Sequence, residues 1–119
     1  MNFEFSDPIR VNELFRPILQ ELLLEDNINL EKLKIKLIVN IKKNYKKYDS
    51  SEHNNLNVTD QILNKMEESI NILFLNDLIK KEDDLYSLSD KAKYHIQSLD
   101  PIKISGFSGN IEFILDFLP

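Results

Sequence analysis

The chain has 119 residues, 42% of them hydrophobic and 29% charged, with a formal net charge of −5, enough to bury one core without staples. It has no cysteine, which excludes a disulfide framework, a thiolate zinc site and a cysteine nucleophile. No apolar run approaches the ~18 residues of a membrane span, and MNFEFSDP lacks a basic-then-apolar signal. A cytoplasmic protein that engages no membrane is therefore expected.

Apolar spacing predicts four helices. The first runs from Glu13 to Glu25 and buries Leu14, Ile18, Leu19, Leu22 and Leu23, with Pro17 marking a kink or the true start. "INL" at 28–30 can supply a short strand. The second helix runs from Leu30 to Lys47 on a stripe of Leu33, Leu37 and Ile41, which Tyr45 and Tyr48 continue. A polar loop, "DSSEHNNLN", follows. The third helix starts near Thr59 and buries Ile62, Leu63, Met66, Ile70, Leu73 and Phe74 within ~120° of arc. Leu78–Lys81 and Leu85–Leu88 read as a hairpin around the acidic turn Glu82-Asp83-Asp84, which should be exposed. Ser87, with Asp90 three residues on, predicts a capping box for a fourth helix that ends at Asp100-Pro101. The tail "GNIEFILDFLP" is too apolar for a frayed end. It should be buried, as a strand beside "NFEF" at 2–5 or against a second chain, so a homodimer through the tail is one expectation.

The expected fold is α+β, mainly α, in one domain over 1–119, with a core at 13–99 and an extension at 100–119. The run "INILFLNDLIKKEDDLYSLSDKAKYHI" resembles the winged-helix sequence of helix, basic strand, acidic or Gly turn, Tyr-x-Leu-Ser/Thr and a new helix. "PILQEL" in the first helix also resembles the N-terminal winged-helix domain of Mrr-type restriction proteins. Ala92 stands where many such domains carry Gly, a departure that bears on helix-start geometry. The resemblance implies a hairpin wing and a third helix that usually enters the DNA major groove.

Catalytic patterns are missing from the sequence. His53 and His95 have no HxxxH spacing, and "GFSGN" at 106–110 does not have the spacing of a nucleophile elbow, P-loop or dinucleotide fingerprint. No enzyme, metal or cofactor is expected. Charge is more informative. Residues 32–48 hold seven lysines and no acid, leaving a balance of −12 on the rest of the chain. On a helix, Lys32, Lys36, Lys43 and Lys47 fall within ~60° of one another, with Asn40 in the gap, forming a ridge ~22 Å long. Lys42 and Lys46 flank it. A solvated face would usually interleave glutamates, so the ridge is either a face balanced by the acidic rest of the domain or the first candidate contact, for RNA or DNA phosphates or for an acidic protein surface. Reversing Lys36 and Lys43 should relieve like-charge repulsion along the helix.

The exposed side of the third helix, Gln61, Asn64, Glu68 and Asn71, is a secondary candidate, since Asn and Gln can read adenine edges. Asp60 and Glu67 beside it disfavour phosphate, and no arginine follows Arg16. The leading expectation is a non-catalytic binding module. It would be a small acidic regulator or inhibitor that docks on a protein or nucleoprotein, as phage-type inhibitors of host nucleases or defence systems do. The alternative is a winged-helix DNA-binding protein, either a transcription regulator or the recognition module of a restriction system.

Overall fold

The computed structural model describes residues 9–44, 55–105 and 112–115, with 44, 55–58 and 112–115 as backbone only. A 3-10 turn at Val11–Leu14 leads into α1 (Phe15–Leu24), followed by β1 (Ile28–Asn29), α2 (Leu30–Asn44) and α3 (Asn55–Leu75). Then come β2 (Ile79–Glu82), β3 (Leu85–Leu88), α4 (Asp90–Ser98), β4 (Ile102–Ser105) and β5 (Glu112–Leu115). The described residues are therefore α+β and mainly helical.

Local chemistry accounts for most boundaries. Pro17 sits in the first turn of α1, where its missing N–H costs nothing. Asn29 Oδ1 accepts the Lys32 N–H at 2.8 Å and caps α2. Asp77 at φ 60° closes α3, as the Leu78 N–H reaches back to the Leu73 carbonyl at 3.0 Å. The cap of α4 is Ser89, and the expectation at Ser87 is corrected. Ser89 Oγ accepts from the Ala92 N–H at 3.1 Å and donates to the Asp77 carbonyl at 2.7 Å, tying the start of α4 to the exit of α3. Ser87 is instead a strand residue opposite Lys80.

The hairpin expected at 78–88 is present, and "INL" does supply a strand. The three strands form an antiparallel sheet in the order β1-β3-β2, with Ile28 opposite Tyr86 and Ile79 opposite Leu88. Glu82, Asp83 and Asp84 at the hairpin tip are exposed. A second, two-stranded antiparallel sheet pairs β4 with β5, Ile102 opposite Leu115 and Ser105 opposite Glu112. Residues 112–115 of the tail are thus a strand whose partner is β4; the 2–5 segment expected beside it lies outside the described residues.

One core joins these parts. Leu14, Phe15, Ile18, Leu19 and Leu22 of the first helical region meet Leu33, Leu37 and Ile41 of α2. Ile62, Met66, Ile70 and Leu73 of α3 complete it with Leu88 and Ala92. The buried set extends past 13–99 on both sides, to Ile9 and to Ile102 and Ile104. Three residues of the expected stripes are exposed: Leu23, Leu63 and Phe74, the last at 49%. Each lies at the edge of its helical arc, where a neighbour would have to be thicker to reach it. α3 begins at Asn55, so Thr59 is inside the helix and does not cap it. β3 packs on α1, while α3 is met by β2.

Candidate functional site

α2 carries more apolar residues than one stripe can use. Leu33, Leu37 and Ile41 go inward, and Leu30 and Ile38 are partly covered. Ile35 and Val39 are left on the outer side, 64% and 57% exposed, although both are apolar. Helical arithmetic places them within ~100° of the lysine ridge, Ile35 beside Lys42 and Val39 beside Lys32 and Lys43. Leu24, at the end of α1, is 79% exposed and faces the same space.

These residues form an open groove of about 370 Å³ between α1 and α2, lined by Glu21, Leu24, Ile35, Lys36, Val39, Asn40 and Lys43. Its base is fixed by a hydrogen bond, Asn40 Nδ2 donating to Glu21 Oε1 at 2.8 Å. Glu21 is buried, so the only carboxylate of the lining among the described residues is already engaged. The groove is a mixed surface, with apolar walls and ammonium groups at its margin.

The ridge is not uniformly charged. Glu25, just past the end of α1, reaches across to α2. Its Oε1 lies 3.1 Å from Lys32 Nζ and its Oε2 lies 2.8 Å from Lys36 Nζ. Both are ion pairs, the second the shorter of the two. Contact with Lys36 first and Lys32 second holds the Glu25 carboxyl below its ordinary range, outweighing the opposing effect of lost water. Lys34 pairs with Glu31 at 3.5 Å. Lys42 and Lys43 have no ion-pair partner among the described residues. Lys46 and Lys47, with Tyr45, Tyr48 and His53, lie outside the described residues.

This geometry alters one expectation drawn from the helix alone. Reversing Lys36 would set a second carboxylate against Glu25, so its gain from relieved lysine repulsion is offset by a new repulsion. Lys43 has no such constraint and is the cleaner position to reverse.

The secondary surface on α3 is divided. Asn64, Glu68 and Asn71 are exposed. Gln61 belongs to the scaffold, because its Oε1 accepts the Ile9 N–H at 2.6 Å and helps pin the leading segment to α3. Ser69 reinforces that seam, with its Oγ 2.8 Å from both the Val11 and Lys65 carbonyls. Phe74 and Leu75 stand exposed at the end of the same helix.

Among the described residues, no group of three or more His, Asp or Glu side chains is placed to hold a metal ion. No helix there is long and apolar enough to cross a membrane. Comparison with protein-family models, with curated proteins and with solved structures finds no match in any of the three.

Proposed function

We propose that this chain is a winged-helix domain acting as a non-catalytic binding module, a small acidic regulator or inhibitor that docks on a protein or nucleoprotein. The helix order and the antiparallel β1-β3-β2 sheet, whose hairpin leads into α4, support the winged-helix part. One observation carries the docking part. Leu24, Ile35 and Val39 are exposed together in a groove bordered by Lys36 and Lys43. Phosphates alone would gain nothing from those three side chains, and among the described residues no aromatic lines the groove to stack a base. A protein surface covers apolar area and pairs the lysines at once.

The DNA-binding alternative has less support. The hairpin tip is three exposed carboxylates, and the outer side of α3 carries Glu67 and Glu68 beside Asn64 and Asn71. Neutralising phosphates is the main source of DNA affinity, and neither surface does that.

Two measurements separate the readings. In an affinity capture from native cells, the partner should survive nuclease treatment and be lost with Val39→Glu, a change the exposed site tolerates. Labelled duplex DNA should bind weakly. Tight duplex binding whose log–log salt slope is about −3 to −4, as four phosphate contacts require, would overturn the proposal.

A further inference from the structure

Resting on the docking reading above, we infer that the groove between α1 and α2 receives an acidic amphipathic α-helix of the partner. Three features of the groove lead there. Its lining comes from two helices, whose backbone groups are bonded within themselves. An extended segment laid in it would find no main-chain partners, while a helix brings its own bonds satisfied. Its apolar contacts, Leu24, Ile35 and Val39, are what the apolar stripe of a short helix would cover.

The third feature is charge. Lys43 borders the groove, helical arithmetic places Lys42 past Ile35 on the far side of the exposed apolar pair, and neither has an ion-pair partner among the described residues. A helix with carboxylates flanking its apolar stripe would meet a lysine on each side. A basic helix would be repelled by both, and an uncharged one would leave them unpaired. A small molecule fits less well, because the groove is open and would leave it half wet. An anionic bilayer presents a broad surface, while here the apolar residues line a concavity whose base is the Glu21–Asn40 hydrogen bond.

The test uses the full chain and synthetic peptides of about four helical turns. One carries leucines at i, i+3, i+4 and i+7 flanked by glutamates. A second has lysines in place of the glutamates, and a third is the acidic peptide with central prolines that block the helix. By fluorescence anisotropy the acidic helix should bind best, the basic and proline-broken versions at least about tenfold more weakly. Lys42→Glu/Lys43→Glu should invert the preference between acidic and basic helices without changing the melting temperature by more than about 2 °C. Val39→Glu should abolish binding of the acidic helix.

Equal binding of acidic and basic helices, or no inversion in the double reversal, would overturn the inference. So would a preference for anionic vesicles over every peptide, or sedimentation showing that a second copy of the chain fills the groove. The docking reading survives these failures if Val39→Glu still removes the native partner. If native capture is unchanged by Val39→Glu and by the double reversal, that reading fails as well.

Discussion

Leu99 closes α4 at φ 60°, a left-handed conformation in which a side chain with a Cβ is strained. The geometry is forced by the cap. The Asp100 N–H bonds the His95 carbonyl at 3.1 Å, and the Leu99 N–H reaches the Ile96 carbonyl at 3.4 Å, so the chain must turn left at 99. Leu99 is 44% exposed and gains only part of its burial in return. Leu99→Gly should therefore stabilise the domain by about 0.5–1 kcal/mol, since the relieved strain exceeds glycine's added entropy cost. A rise in melting temperature of about 2–4 °C would register it, and an unchanged or lower value would place the stability of this corner in Leu99's side-chain contacts. Asn27, Asp77 and Asp83 make the other left-handed corners, with the short polar side chains that bear such φ values at least cost.

Among the elements, the packing of α3 gives the sharpest contrast between neighbouring residues. Leu73 is fully buried and Phe74 is half exposed. Leu73→Ala should cost about 2–5 kcal/mol in chemical denaturation. Phe74→Ala should cost under about 1 kcal/mol, as surface substitutions usually do. A large loss at Phe74 would mean that the aromatic ring is covered by a second chain. The sequence placed both residues on one stripe because their arc is narrow enough, but the width of the surface that covers an arc is a tertiary property. The helices, the β2–β3 hairpin and the 28–30 strand were legible because periodicity and turn chemistry agreed there. The α4 cap lies two residues past the expected Ser87 because Ser87 and Ser89 offer the same hydroxyl, and the strand pairing decides between them. β4 carries a signal of its own, since "IKIS" alternates apolar and polar residues, the usual mark of a half-buried strand. The groove was half legible. The lysines stand out by charge, while the apolar residues at 33, 35, 37, 38, 39 and 41 exceed what one stripe can bury. Glu25's reach to Lys32 and Lys36 depends on how α1 lies against α2, which sequence spacing does not state.

For the whole molecule, the termini of the described chain matter as much as its middle. Ile9 and Ile104 lie outside the expected 13–99 core, yet both are buried in it. The leading segment is held by Gln61 and Ser69, and β4 is held by Asn76. The Asn76 side-chain amide both gives and receives. Its Nδ2 donates to the Ser105 carbonyl at 3.0 Å, and its Oδ1 accepts the Ser105 N–H at 3.0 Å.

That two-way contact is the one a passing β-strand would make. Ser105 turns both main-chain groups away from β5, so by antiparallel alternation the outward rungs of β4 are at 103 and 105. Asn76 occupies the second, and the first belongs to Lys103, whose exposed charge discourages a neighbouring strand. A single carboxamide thus works as a stopper on an edge that could otherwise recruit further chains. Asn76→Ala should cost about 1–2 kcal/mol and also uncap that edge. Sedimentation velocity should then show association growing with concentration beyond that of the wild type, and more steeply still when Lys103→Thr removes the second guard. Wild-type sedimentation in both variants would mean that Asn76 fastens β4 to α3 without shielding it.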